Sequence, residues 1–173
     1  MPSLRTVFTE EQIRERIAEM AREIDAVYGE EPLVVVCVLK GAVHFFSDLS
    51  RQLRNPAIEL DFVRLSSYGN ATTSSRHVTF SKDVDCDVRG KHVLIVEDVV
   101  DSGHSMRFLV NQFQAREAAS LRIAALIDKK ERREIDVHVD FVGFNLERGY
   151  IVGYGMDCAE KYRALPAVYE LLS

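Results

Sequence analysis

The chain has 173 residues, of which 47% are apolar and 28% charged, and its formal net charge is −5. These values are typical of one globular domain of ordinary size, so we predict a single domain over residues 1–173. The acidic balance argues against nucleic acid as the main partner. No apolar run approaches the ~18 residues that a membrane span requires, and the N-terminus lacks a signal-peptide pattern. We therefore expect a cytoplasmic protein with no membrane partner.

The first predicted element is an amphipathic helix. Thr9 and Gln12 match a capping box, in which each side chain binds the backbone N–H of the other residue. Apolar residues then recur at helical spacing: Ile13, Ile17, Met20, Ile24 and Val27. Pro32 is expected to end this unit.

A buried strand and a second helix come next. Residues 33–39 (LVVVCVL) form a continuous apolar run, as expected for a strand covered on both faces. After Lys40-Gly41, residues 42–53 show a helical pattern. Apolar and acidic residues alternate over residues 58–62, which predicts another strand. The polar segment from Ser66 to His77 is predicted to be a loop, and loops of this length are usually functional or mobile.

Strands and helices continue to alternate in the second half of the chain. We predict a strand at 92–96, a helix at about 105–119 and a strand at 121–127. Residues 137–152 are predicted to form two short strands joined by a turn. This alternation predicts an α/β domain with a mainly parallel sheet. Because ligands of such sheets bind beyond the carboxyl ends of the strands, the chemistry is expected just after the three buried strands.

An acidic segment follows one of these strands. Glu97, Asp98 and Asp101 precede the turn 102–105 (SGHS), which leads into a helix. Free N–H groups at a helix N-terminus, with a glycine and serine hydroxyls, form a nest for phosphate oxygens. Acidic acceptors beside that nest suit a ligand that also carries sugar hydroxyls or a bound Mg²⁺. Alternatively, Ser105 only caps the helix and the acids lie at a solvated sheet end. The segment matches neither a Walker loop nor a dinucleotide fingerprint.

The segment VLIVEDVVDSGHS resembles the phosphoribosyl-diphosphate (PRPP) signature of type I phosphoribosyltransferases. Residues 38–49 (VLKGAVHFFSDL) and 65–69 (LSSYG) resemble the pyrophosphate loop and the catalytic loop of the hypoxanthine-guanine members of that family. FVGF, IVGYGMD and KYRALP, within residues 141–166, resemble their purine-binding end. The resemblance implies the type I phosphoribosyltransferase fold, a mainly parallel central sheet flanked by helices, with a small hood built partly from the C-terminal segment.

The resemblance also implies roles for the acidic segment. Glu97 and Asp98 would hold the ribose hydroxyls directly or through Mg²⁺, which makes both candidate metal ligands. Asp101 would lie near purine N7 as the general acid/base. The 5′-phosphate would lie in a cradle made by Ser102, Gly103, His104, Ser105 and Met106. We expect the His104 side chain itself to point to solvent.

The resemblance places the purine on residues of the second half. Lys129 would donate to the oxygen at C6, which favours 6-oxopurines because an ammonium has only donors; the alternative is an ordinary surface lysine. Tyr150 would stack on the base, although a packing aromatic is the commoner role for such a residue. The Ile151 carbonyl would accept from the purine. Asp157 would bind Mg²⁺ and Arg163 the pyrophosphate, whereas the plain alternatives are a loop acid and an exposed arginine.

Two further segments complete the implied site. Lys40 and Gly41 would present backbone N–H groups to the pyrophosphate, and the family pattern predicts a non-proline cis peptide bond at Leu39–Lys40. Ser67 and Tyr68 would close over the site during reaction and exclude water.

The implied reaction transfers phosphoribosyl from PRPP to N9 of hypoxanthine or guanine, giving IMP or GMP and pyrophosphate. Two alternatives stay open, namely an RNA-binding regulator with the same fold and an enzyme that prefers xanthine. By resemblance, a homodimer or homotetramer is expected.

Overall fold

The computed structural model describes residues 3–68 and 77–172. The helices there are α1 (Glu10–Tyr28), α2 (Val43–Ser50) and α3 (His104–Ala115). The strands there are β1 (Ser3–Phe8), β2 (Leu33–Leu39), β3 (Ile58–Tyr68), β4 (His77–Lys82), β5 (His92–Val100), β6 (Ser120–Lys129), β7 (Phe141–Leu146), β8 (Ile151–Val152) and β9 (Val168–Leu172). None of the helices in these ranges combines the length and apolar character that a membrane crossing requires.

The centre of the fold is a six-stranded sheet in the order β4-β3-β2-β5-β6-β7. Only the β3–β4 pair is antiparallel among its neighbours. The β2 residues alternate between two cores: Val35 and Cys37 pack with α1 and α2, whereas Val34 and Val36 pack on the α3 face. Helices therefore cover both faces, which is why β2 and residues 93–96 of β5 are continuously apolar. The predicted α/β class with a mainly parallel sheet is confirmed.

A second, three-stranded sheet forms a small hood in the order β1-β9-β8. Its strands pair antiparallel, with Ser3 opposite Leu172 and Ile151 opposite Glu170. The two ends of the chain thus build the hood together. The Tyr154 hydroxyl, which follows β8, donates to the Asp48 carboxylate of α2 and ties the hood to the main sheet.

Several element predictions are confirmed closely. Thr9 caps α1, and the reciprocal bonds of the capping box with Gln12 are both present. The strand predicted at residues 33–39 has those bounds. Val27 is an exception, because it is 46% exposed and lies off the buried stripe of α1. Helix α2 stops at Ser50, three residues before the predicted end.

The predicted loop from Ser66 to His77 is wrong at both ends. Residues 66–68 continue β3, and His77 begins β4, with Ser67 opposite Val78. Residues 69–76, the middle of that loop, lie outside the described residues. The β4 side chains alternate between exposed and half-buried, so one face of this edge strand meets solvent. The backbone groups of its polar residues form hydrogen bonds with β3, and amino-acid composition alone does not predict this pairing.

The central strands run further than predicted at the edge where ligands were expected. β5 continues to Val100 and β6 to Lys129, because their backbones keep pairing as far as Val100 opposite Asp128. Glu97 and Asp98 therefore lie within a strand and not after it. Helix α3 begins at His104 and ends at Ala115, four residues earlier than predicted.

Candidate active site

A cleft of about 220 Å³ lies where β5 and β6 end side by side. It is lined by Asp98, Val99, Asp101, Lys129, Arg132, Gly149, Tyr150, Ile151, Met156 and Asp157. Six of these ten were candidates from the sequence, and they come from β5, β6, β8 and the segments that flank these strands. The carboxyl edge of the sheet and the hood therefore face each other across the cleft, as expected for a sheet of this type.

Asp98 lines the cleft, and Glu97 directly precedes it on β5. Glu97 is only 8% exposed, and its Oε1 accepts from the Asp98 N–H at 3.0 Å. Burial raises the pKa of the Glu97 carboxyl well above its usual value, and the neighbouring Asp98 carboxylate raises it further. Such a pair of acids presents acceptors for hydroxyl groups or a cation.

Asp101 carries an orphaned oxygen. Its Oδ1 is buried and has no hydrogen-bond partner among the described residues. Buried polar atoms are almost always paired, so an orphan of this kind indicates a place where a donor is to arrive. The position, on the cleft wall between Asp98 and the start of α3, is compatible with the acid/base role.

The turn before α3 is built to expose backbone N–H groups. Gly103 is the N-cap residue with φ +93°, and a Cβ there would lie 2.5 Å from the Ile135 carbonyl oxygen. Only glycine fits both constraints. The N–H groups of the first helical turn have no partner within the helix and can bind an anion. Met106 can offer only its backbone N–H to a ligand, because it is 2% exposed and its side chain packs in the core.

The expectation that His104 points to solvent is wrong. Its Nε2 lies 2.6 Å from the Glu134 carboxylate, and the side chain is four-fifths buried. The contact is possible because the chain after β6 returns past the turn: the Glu134 and Ile135 N–H groups both donate to the Ser102 carbonyl at 3.0 Å. Residues 134–135 therefore stabilise the position of the turn 102–105.

Lys129 is not a surface lysine. It is the last residue of β6 and only 6% exposed, and its Nζ lies 3.4 Å from the Glu131 carboxylate. Burial removes most of the water around this ammonium. A ligand in the cleft can take the place of that water by accepting hydrogen bonds from Nζ. The alternative of an ordinary surface position is therefore excluded.

Tyr150 and Ile151 form the hood side of the cleft. Tyr150 is 49% exposed, and its hydroxyl donates to the Asp157 carbonyl at 3.3 Å. A tyrosine that only packs in a core would not leave half of its surface open. Ile151 begins β8 and is half-buried, with its backbone beside the same opening.

The pyrophosphate-loop residues reach the same place through close backbone contact. A Cβ on Gly41 would lie 2.0 Å from Asp98 Oδ2, and one on Gly155 would lie 1.9 Å from the Gly41 carbonyl oxygen. The Leu39–Lys40 peptide bond is cis, as predicted. The Lys40–Gly41 turn is therefore pressed between the acidic strand end and the hood loop.

The charged residues on this side pair with one another. Lys40 Nζ lies 2.8 Å from Glu160, and the Arg163 guanidinium contacts Asp157 at 2.9 Å and Glu160 at 3.2 Å. The second oxygen of Asp157 accepts from the Glu160 N–H at 2.8 Å. Asp157 and Arg163, which were assigned separate roles, are thus one ion pair in the free protein.

Ser67 and Tyr68 lie near the end of β3. Leu39, the last residue of β2, pairs with Arg64, so β3 extends beyond its neighbour at the carboxyl edge. Ser67 is exposed there. This overhanging position fits a covering segment, whose closing motion stays a prediction.

Arg133 and Glu160 contact residues of the candidate site but were not candidates from the sequence. Arg133 donates to the backbone carbonyls of residues that flank the cleft, and Glu160 joins Lys40 to Arg163. Neither lies in a recognisable motif, and both act across long separations in sequence. A run of charged residues directly after a buried strand was the only available signal for Arg133.

Comparison with known proteins agrees with this geometry. The model of the phosphoribosyl transferase domain family matches residues 5–159. The chain is 40% identical to the hypoxanthine-guanine phosphoribosyltransferase of Bacillus subtilis, covering 96% of both. It is 43% identical to the hypoxanthine phosphoribosyltransferase of Salmonella typhimurium, covering 96% of this chain and 94% of that one.

Solved structures give the same answer. The crystal structure of a hypoxanthine-guanine phosphoribosyltransferase from Bacillus anthracis superposes with a TM-score of 0.92 at 41% identity, covering 97% of this chain and 98% of that one. Family model, sequence relatives and fold all agree over nearly the whole length. The chain therefore belongs to the phosphoribosyltransferase family and, within it, to the hypoxanthine phosphoribosyltransferases.

Proposed function

We propose that this chain transfers the 5-phosphoribosyl group of PRPP to N9 of hypoxanthine or guanine. The anomeric C–O bond to pyrophosphate breaks, the C–N9 bond forms, and the purine loses a proton, which gives IMP or GMP and pyrophosphate. The observation that carries the proposal is one cleft that combines acidic acceptors, a buried ammonium and an exposed aromatic ring. It lies beside residues 102–105, the phosphate-binding turn of this proposal.

The donor would lie along the end of β5 and the start of α3. Its 5′-phosphate would accept from the N–H groups of residues 102–106, where the helix dipole also favours an anion. The ribose hydroxyls would donate to Glu97 and Asp98. The phosphate would therefore meet hydrogen-bond donors, and the ribose hydroxyls would meet acceptors.

The purine would lie between Tyr150 and Lys129. The exposed face of Tyr150 offers a stacking surface, the Ile151 carbonyl accepts from the purine N–H groups, and the Lys129 ammonium donates to the C6 oxygen. A 6-amino group would face that ammonium donor to donor. The site therefore favours hypoxanthine and guanine over adenine.

Asp101 would take up the proton that the purine releases. A purine N–H arriving at its buried Oδ1 would fill the missing hydrogen bond. Among the described residues no protein donor competes for that oxygen, so the carboxylate can accept the purine proton.

Pyrophosphate would leave toward Lys40, Gly41 and Arg163. The guanidinium of Arg163 can bind phosphate oxygens with two parallel hydrogen bonds, and the Lys40–Gly41 backbone supplies further donors. Ser67 and Tyr68 would cover this side and keep water from the carbocation-like transition state.

The residues present fit a Mg²⁺ ion that arrives with PRPP. Within the described ranges, no three His, Cys, Asp or Glu side chains gather as a complete protein-only metal site. Mg²⁺ commonly uses one or two carboxylates together with substrate oxygens, and Glu97 with Asp98, or Asp157, can supply them. A bound ion would offset the negative charge of the departing pyrophosphate.

For the wider setting, we propose a cytoplasmic homodimer or homotetramer without a nucleic-acid or membrane partner. The acidic net charge and the complete set of purine-side residues count against the RNA-binding alternative.

The test is to incubate the protein with PRPP, Mg²⁺ and each of hypoxanthine, guanine, xanthine and adenine, and to measure nucleotide and pyrophosphate together. Equal amounts of both products from hypoxanthine or guanine, lost on adding EDTA and regained with Mg²⁺, are expected. Absence of nucleotide from every 6-oxopurine would refute the proposal, and xanthylate as the main product would favour the xanthine alternative.

A further inference from the structure

Arg133 lies just beyond β6 and touches the backbone of residues on both sides of the cleft. Its Nε donates to the Asp101 carbonyl at 2.8 Å. One of its terminal nitrogens donates to the Val100 carbonyl at 3.1 Å and to the Lys129 carbonyl at 3.2 Å. One guanidinium therefore joins the end of β5 to the end of β6.

The guanidinium is held in this position by its surroundings. It also pairs with the Asp128 carboxylate, and the two side chains are only 15% and 9% exposed. A planar group with five donors can reach several acceptors at once, whereas a lysine ammonium in the same place cannot span them. A buried charge with this many partners stays fixed.

The residues that follow Arg133 reinforce the contact. The N–H groups of Glu134 and Ile135 both donate to the Ser102 carbonyl, and the Glu134 carboxylate contacts His104. Each of residues 133–135 therefore contacts the phosphate-binding turn or Asp101, the residue directly before it. Among the contacts that these residues make to backbone carbonyls around the turn, the shortest is that of Arg133 Nε, at 2.8 Å, on the Asp101 carbonyl directly before the turn.

We propose that Arg133 is a positioning residue for the transfer reaction. It sets the distance from Asp101 and the phosphate-binding turn to Lys129, so that the sugar phosphate and the 6-oxopurine are held in reacting geometry at the same time. This inference rests on the proposed function. Arg133 is not among the residues that line the cleft, so its effect passes through the carbonyls that it holds.

The test compares Arg133→Lys with a matched control, Arg16→Lys. Arg16 also donates to two backbone carbonyls, those of Val142 and Gly143, and pairs with two glutamates. These carbonyls belong to β7 and do not line the cleft. Both substitutions keep the positive charge but remove the planar guanidinium that donates to several acceptors at once. The two variants should therefore lose similar stability while differing in catalysis.

The measurements are kcat, KM for hypoxanthine, KM for PRPP and IMP affinity by calorimetry, at a temperature where circular dichroism shows both variants fully folded. For Arg133→Lys we expect kcat to fall about tenfold or more and IMP to bind about tenfold more weakly, because small misplacements of reacting groups are costly. For Arg16→Lys we expect both quantities within about twofold of the wild type.

Unchanged kcat and IMP affinity in a folded Arg133→Lys variant would overturn the inference while leaving the proposed function intact. If that variant does not fold, Arg133→Gln, which keeps one amide donor, is measured in the same way. If neither folds while Arg16→Lys does, the role of Arg133 is structural and the inference fails. Wild-type protein that makes no nucleotide would instead refute the proposed function itself.

Discussion

The Lys40 ammonium lies 2.8 Å from the Glu160 carboxylate, across 120 positions of sequence. The other oxygen of that carboxylate lies 3.2 Å from the Arg163 guanidinium, and these two cations lower the pKa of Glu160. Glu160 also has φ +64°, in the left-handed region that favours glycine. In the free protein an internal carboxylate thus engages both segments that we assign to pyrophosphate.

Glu160→Gln should strengthen PRPP binding, because it removes the carboxylate that pairs with Lys40 and leaves Arg163 paired with Asp157 alone among the described residues. The pair is exposed, so we expect only about a threefold fall in KM for PRPP, with a parallel rise in inhibition by pyrophosphate. Initial rates at varied PRPP measure this. Glu11→Gln, which breaks the exposed pair with Arg14 on α1, is the control and should change neither value. A raised KM in Glu160→Gln would show that Glu160 supports binding.

Lys129→Gln should weaken the purine site selectively. Replacing a charged donor with an amide should raise KM for hypoxanthine about tenfold or more, as is usual for a lost charge-assisted hydrogen bond. Discrimination against adenine should also fall, since an amide has an acceptor as well as a donor. KM for PRPP should stay the same. The control is Lys130→Gln, at the neighbouring exposed lysine; similar effects in both variants would contradict the assignment.

Asp101→Asn should separate catalysis from binding. Loss of a positioned acid/base usually costs between about 10² and 10⁴ in rate, so kcat should fall by that factor. PRPP affinity, measured by calorimetry, should change little because the phosphate-binding turn and the acidic pair are retained. A variant with normal kcat would remove Asp101 from the proton-transfer step.

Asp61 gives a prediction on stability and pH. Its carboxylate, on β3, accepts from the N–H groups of Phe62, Asp85 and Cys86 at 2.7–2.9 Å. Burial alone would raise the pKa of Asp61, but these hydrogen bonds outweigh it and the pKa is lowered. Because the folded pKa is below the unfolded one, the stabilisation is complete above the unfolded value of about 3.9 and is lost as the pH falls through the folded value.

Asp61→Asn should therefore lower the free energy of unfolding by about 1–3 kcal/mol at pH 7, and the difference from wild type should shrink below about pH 4. Urea unfolding at pH 7, 5, 4 and 3 measures both. Asp136→Asn, at an exposed position, should stay within about 0.5 kcal/mol of wild type. A wild-type advantage that is constant down to pH 3 would contradict the role of the charged form.

The centre of the fold could be predicted from the sequence, but its edges could not. β2 and the first part of β5, residues 93–96, are continuous apolar runs because both of their faces are covered, and such runs are unambiguous. β1, β4 and β9 mix polar and apolar residues, since each has residues that remain exposed or half-buried. β1 and β9 also pair across the full length of the chain, for example Arg5 with Glu170. Nothing local in either strand indicates the other.

The residues of the candidate site also differ in how well the sequence predicts them. The acids and the turn from Glu97 to Ser105 are consecutive, so their chemistry was visible in one short segment. Lys129 and Tyr150 became candidates only through the resemblance to a family, because alone each is an ordinary residue. Arg133 and Glu160 were missed since their functions depend on partners 32 and 120 positions away.

The most direct test of the account is a crystal structure of the protein with IMP bound. We predict that the phosphate oxygens lie about 3 Å from backbone N–H groups of residues 102–106, that the C6 oxygen lies at the same distance from Lys129 Nζ, and that the purine lies on the Tyr150 ring. A nucleotide bound elsewhere, or bound in the cleft with its base away from Lys129 and Tyr150, would contradict the account.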